Sequence, residues 1–229
     1  MIKLDEITDK YSFSYYDKEE FYDIIKPIYE HSEFQKRLKS DFPHHGSISL
    51  GYHILEVAAL TYQKCKYIDC DKKLALRISM LHDMYTLPWQ NSNIKTKFIN
   101  KHGFRHPIEA VINSINFFPE FFLEPYEAEI IIDGILHHMY PFPVRVFKKK
   151  KKNILELNNY ELSKKLKGKY ENMMIKSTKR KKIGSLSFAK SKYIEGRIVK
   201  SCDKKVSFHQ IENLSALTSL ITGKNKTIK

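Results

Sequence analysis

Five apolar segments of this 229-residue chain each carry an imidazole or a carboxylate where a helical period calls for core. The sharpest is ISMLHDMYTLPW, residues 78–89, in which the apolar run Ile78-Ser79-Met80-Leu81 leads straight into His82-Asp83. Elsewhere His53 is in phase with Val57 and Leu60, and His106 precedes Ile108, Val111, Ile112 and Ile115. His138 is in phase with Ile131, Gly134 and Ile135, and Asp203 keeps company with Ile198, Val199, Cys202 and Val206. A polar group placed in a core costs free energy unless something satisfies it. Five such positions together ask for a shared partner, and helix bundles build sites from inward side chains on facing helices.

The same periodicity makes the chain all-α. Gly and Pro number only eight each, and long alternating strand patterns are scarce. Asp17 to Leu38 reads as one or two amphipathic helices, with Pro27 as a break or start. FPHHG (42–46) reads as a loop, and a helix runs from Ser47 or Ser49 to about Tyr67. Asp71 caps the next helix, which ends near Tyr85 to Pro88, and residues 86–105 read as a loop. Pro107 suits the first turn of a helix that Pro119 ends; Pro125 starts another, stopped by PFP at 141–143. Helical patterning resumes at Tyr193, after a stretch in which 155–174 has room for one more helix.

Charge divides the chain. Its net charge is +14, yet residues 145–205 alone hold 21 Lys and Arg against 5 Asp and Glu, a net of +16. The remaining residues hold 19 against 21. Five lysines at 148–152 cannot pack together, so this region reads as a solvated excursion, or as one attracted to phosphates, with Tyr170, Met173, Met174 and Phe188 able to fold part of it on the domain or over the site as a lid. Nonspecific nucleic-acid or anion binding is its functional reading; no zinc-finger or RNP motif accompanies it. Cys65, Cys70 and Cys202 are odd in number and lack a C-x-x-C spacing, so they are expected to be reduced core thiols. No apolar stretch approaches the roughly 20 residues that span a bilayer, and MIKLDEITDKYSF does not resemble a signal peptide. A cytoplasmic location is the expectation.

Four histidines and two aspartates exceed the needs of one tetrahedral site and suit two divalent ions, with one aspartate shared. Imidazole and carboxylate together suit iron, manganese or zinc. H-E-x-x-H, the P-loop glycine-lysine motif and G-x-S-x-G are absent.

The ordered set H…HD…H…H…D resembles the HD-domain superfamily of metal-dependent phosphohydrolases, in its two-metal subgroup, which includes the bacterial HD-type diadenosine tetraphosphatases. The carrying segments are GYHILEVAAL (51–60), ALRISMLHDMYTLPW (75–89), HGFRHPIEA (102–110), IIIDGILHHMYPFP (130–143) and EGRIVKSCDKK (195–205). The resemblance implies an HD-domain helical bundle over 44–210, interrupted by a lysine-rich insertion at about 148–190, after an N-terminal helical extension (1–43) and before a tail (211–229). It implies that His53, His82, Asp83 and Asp203 hold one metal, and that His106, His138 and a bridging Asp83 hold a second. His137 competes with His138, and helical phase favours His138. One or two divalent ions are expected, iron or manganese above others. They would supply metal-bound hydroxide, a bound water's pKa falling toward about 7, to attack a phosphate ester or anhydride of a nucleotide or dinucleotide.

Further residues are candidates for substrate contact. Arg105 and Lys204 flank ligands and could bind phosphate oxygens, and His45 or His44 could act as a proton donor. His102 reads as a loop or supporting residue, and Tyr85 and Trp89 as core or as walls of a base pocket. Two other functions use the same residues differently: a mixed-valence di-iron oxygenase of the same superfamily, or a nucleic-acid-binding protein acting through the basic insertion.

Overall fold

The computed structural model describes residues 4–39, 43–45, 48–85, 102–148 and 161–210, and among them helix dominates. Three helices come first: α1 (Leu4–Lys10), α2 (Tyr15–Tyr29) and α3 (Ser32–Leu38). Ser14 and Asp17 close a reciprocal capping box on α2, each side chain meeting the other's backbone amide at 3.0–3.2 Å. Pro27 lies inside α2, which stops two residues later, so the lost donor falls in the last turn.

A two-stranded ribbon, β1 (Pro43–His45) and β2 (Ile48–Ser49), leads into α4 (Leu50–Cys65). Ser49 caps α4 and Asp71 caps α5 (Lys72–Leu81), the Asp71 carboxylate accepting from the Leu74 amide at 2.9 Å. α4 is buried along almost its whole length because α1, α3, α5 and α9 surround it. This central position explains why its sequence is apolar around most of its circumference rather than along one stripe.

α6 (His102–Phe117), a 3-10 turn (Pro119–Phe122) and α7 (Pro125–Leu136) complete the next layer. α6 starts four residues before the expected His106, so His102 to Arg105 are helical rather than loop. Pro107 lies inside this helix, one turn past its start, and offers no amide to the Gly103 carbonyl. α5 ends at Leu81, short of the expected Tyr85–Pro88, for a reason found in His82 itself and described below.

The lysine-rich region is more ordered than its composition implies. It contains α8 (Glu161–Lys179), then β4 (Lys182–Ile183) and β5 (Leu186–Ser187), before α9 (Ile194–Gln210). β5 is central in a three-stranded antiparallel sheet, between β3 (Val144–Arg145) and β4. Tyr170 and Met174 enter the common core, and the Tyr170 hydroxyl donates to the Phe122 carbonyl at 2.6 Å. α8 packs chiefly along α7, so its described part buttresses that helix rather than capping the histidines.

α7 and α9 cross closely at two glycines. A Cβ on Gly196 would lie 2.7 Å from the Cα of Gly134, so only glycine permits this approach. The crossing matters because α9 carries Asp203 and α7 leads to His138. Cys65, Cys70 and Cys202 are free thiols. No helix among the described residues is long and apolar enough to cross a membrane.

Candidate metal centre

Each metal-type residue arrives by a local route legible in its element. His53 sits on the first turns of α4, one helical turn after its Ser49 cap. His82 is the C-cap of α5, and its Nδ1 lies 2.6 Å from the Ser79 carbonyl three residues back. His138 follows the end of α7 and repeats the device, Nδ1 2.7 Å from the Ile135 carbonyl. In both cases the imidazole satisfies a carbonyl orphaned at a helix C-terminus. In the same stroke the ring is oriented with Nε2 pointing away from the helix end. His106 does the same more loosely from within α6, Nδ1 3.3 Å from the His102 carbonyl.

His53 has a different partner. Its Nδ1 is 2.9 Å from Gln210 Oε1, on the last turn of α9. The Gln210 amide nitrogen donates to the Glu56 carboxylate, which Lys10 also engages. A carboxylate only accepts, so Gln210 must turn its oxygen to His53, and His53 Nδ1 must be the donor. All four histidines therefore spend Nδ1 on protein acceptors and turn Nε2 inward. This is the arrangement that orients imidazole ligands in metal sites.

The inward atoms converge. Asp83 Oδ1 lies 3.5 Å from Nε2 of His106 and 3.5 Å from Nε2 of His138, and those two nitrogens are 3.0 Å apart. Asp83 Oδ2 faces the other way, 3.5 Å from His82 Nε2 and 3.8 Å from His53 Nε2. Asp203 Oδ1 completes that side at 3.2 Å from His53 and 3.8 Å from His82. Two groups result, His53–His82–Asp203 and Asp83–His106–His138, with donor atoms in each within 4.8 Å of one another. Neighbouring donors around a metal with bonds of about 2.1 Å stand roughly 3.0–3.4 Å apart, so both groups fit a divalent ion. All six residues are buried, and among the described residues His82 Nε2 makes no hydrogen bond.

Electrostatics separate the four rings. Burial holds His82 and His106 below the usual imidazole range, which keeps them neutral, the ligating form. Burial also opposes the charged form of His53 and of His138. For His53 the Asp203 bond and the Asp83 charge outweigh it, and for His138 the Asp83 carboxylate does, so both are raised. Asp203 is the reciprocal case: burial works against its carboxylate, but His53, His82 and His138 hold its pKa at about 2.

The remaining candidates fall in different places. His137 does not reach this cluster: its Nε2 is 3.0 Å from Ser177 Oγ on α8. Arg105 pairs with Glu109 one turn along α6 at 2.6 Å. Lys204 is exposed, its ammonium 5.7 Å from the Phe208 ring centroid. His45 and His44 lie on β1, but their side chains, like Trp89, are outside the described residues. Tyr85 is buried, its ring edge-on to His102 at 4.5 Å and to His106 at 5.7 Å. His102 in turn stacks on His106 at 5.0 Å.

Three supporting residues escaped the pattern search. Arg37 of α3 donates to the Tyr85 carbonyl at 2.8 Å, and Asn113 of α6 donates to the Met84 carbonyl at 2.7 Å. Together they pin the backbone just beyond Asp83. Gln210 is the third, and a signal for it existed: it lies seven residues after Asp203, two turns along the same face.

A family profile described as HD domain matches residues 50–205. No curated protein and no solved structure matches the chain.

Proposed function

The chain belongs to the HD-domain family of metal-dependent phosphohydrolases, and on that premise we propose that it cleaves a phosphate ester or anhydride of a nucleotide or dinucleotide at a two-metal centre. The observation that carries this reading is the two-sided carboxylate of Asp83, with one oxygen toward His106 and His138 and the other toward His82 and His53. A carboxylate so placed could be shared by two ions, one held on each side.

In this reading His53, His82, Asp83 and Asp203 hold one divalent ion, and His106, His138 and Asp83 the other, iron or manganese being favoured. Bound there, the ions would lower the pKa of a coordinated water and polarise a phosphoryl oxygen. The chain's own part is preorganisation. The acceptors at Ser79, Ile135, His102 and Gln210 keep four Nε2 atoms aimed inward before any ion arrives. Two carboxylates against two dications leave a net charge of about +2, which draws a phosphate anion to the site. Arg105, by exchanging Glu109 for substrate, and Lys204 are the proposed cations for outer phosphate oxygens.

Metal analysis of anaerobically purified protein, coupled to a panel of nucleotides, dinucleotides and oligonucleotides, tests this. The expected result is two equivalents of divalent metal per chain and phosphate release that disappears in Asp83→Ala. Stoichiometry near zero would overturn it. One equivalent would reduce His106 and His138 to positioning roles. Oxygen consumption with no hydrolysis would transfer the site to the di-iron oxygenase reading.

A further inference from the structure

The basic region leaves its charge on one built face. Several surface lysines are answered by carboxylates: Lys18 by Asp9, Lys36 by Glu33, Lys66 by Asp17 and Lys72 by Glu20. Between α8, the β4–β5 hairpin and the start of α9, Lys192 is answered by Glu129 and Arg180 by Asp133. Lys169, Lys176, Lys181, Lys190 and Arg197 are exposed there, and among the described residues none of them makes an ion pair.

These side chains line two adjoining open cavities of about 250 and 270 Å3. Arg180 and Lys192 line both, so the two form one trough. Glu129 and Asp133 line the first cavity, and among the described residues the second has no carboxylate in its wall. The floor is preorganised by one buried residue of α7, Asp133. Its carboxylate accepts from Ser177 Oγ at 2.7 Å, from Ser191 Oγ at 2.9 Å, from the Lys192 amide at 2.7 Å, and from Arg180. Asp133 thereby fixes α8, the hairpin's exit and the entry to α9 against one another, with the cations standing on that frame.

The lining also says what kind of anion fits. Among the described residues no aromatic ring lines either cavity; the apolar wall is Ile132, Met173 and Ala189. A pocket for a free nucleotide would be expected to offer a surface for its base. A row of uncompensated cations along an open trough instead suits repeated phosphates, whose affinity comes from charge alone. We propose that this trough binds the phosphodiester backbone of a nucleic acid, without reading its sequence, at a site whose lining shares no residue with the metal centre.

The test is fluorescence anisotropy with the full chain and labelled 20-nucleotide single-stranded and duplex oligonucleotides, with EDTA present so that nothing is cleaved. Binding should weaken with salt. Neutralising about four phosphates of a single strand gives a log–log slope near −3, or roughly a 60-fold loss between 50 and 200 mM salt. The triple reversal Lys181→Glu/Lys190→Glu/Arg197→Glu should cut affinity at least tenfold and flatten that slope by about 2. Its circular dichroism and melting should match wild type, since these residues hold no ion pair. The milder triple change to alanine should give an intermediate loss. Asp83→Ala should bind like wild type, which separates failure here from failure of the hydrolase reading. Salt-independent binding, or tighter capture of polyglutamate than of oligonucleotide, would overturn the proposal. So would affinity that survives the triple reversal and vanishes only when the lysine run at 148–152 is replaced by serine.

Discussion

His53 Nδ1 and Gln210 Oε1 meet at 2.9 Å across 157 residues of sequence, joining the first turns of α4 to the last turn of α9. The bond sets the tautomer of His53, because Gln210 has already committed its amide nitrogen to Glu56. Gln210→Leu should therefore weaken metal retention about 10- to 100-fold, measured by competition with a graded chelator. Gln210→Glu keeps an acceptor for His53 but sets a second carboxylate against Glu56, so it should not restore wild-type retention.

The two sides of Asp83 predict unequal losses. His106→Ala should leave one equivalent of metal bound, since His53, His82, Asp83 and Asp203 remain. Asp83→Asn should reduce both occupancies and lower hydrolysis by 10³-fold or more, the larger loss reflecting the bridge. Elemental analysis alongside steady-state rates distinguishes the two.

Asp133 is a structural charge, and its loss should be read in stability. Replacing it with alanine strands Arg180, Ser177, Ser191 and the Lys192 amide together. A cost of about 3–5 kcal/mol is expected in urea unfolding, in the range for breaking a buried charge network by one partner. Metal content of whatever remains folded should be nearly unchanged.

Two glycines predict opposite signs. Gly196→Ala drives a methyl against the Gly134 backbone and should destabilise by about 1–3 kcal/mol while loosening metal, because α7 and α9 separate. Gly103→Ala meets nothing within 4 Å and lies in the first turn of α6, so it should be neutral or stabilise by up to about 1 kcal/mol. Thermal melts of the pair check both.

The helical class and the positions of the core helices were readable because apolar period and cap residues are local properties. Asp71 and Ser49 start α5 and α4 as their side chains dictate. Two helix boundaries were not readable. α5 stops at Leu81 because His82 turns its ring onto the Ser79 carbonyl, and α6 begins at His102 rather than at His106, four residues on. Composition left two readings of the basic region open, a solvated excursion or a segment folded on the domain, and Tyr170 and Met174 enter the core.

By itself the sequence determined which residues are available to a metal, since a histidine or aspartate in phase with core has no solvent to satisfy it. Tertiary structure alone decided how they meet: that Asp83 faces two groups at once, and that Gln210 and Arg37 hold the frame. The physical reason is reach. Periodicity and capping act within a few residues, whereas a bridging carboxylate and a tautomer-fixing acceptor are relations between helices brought together only by packing.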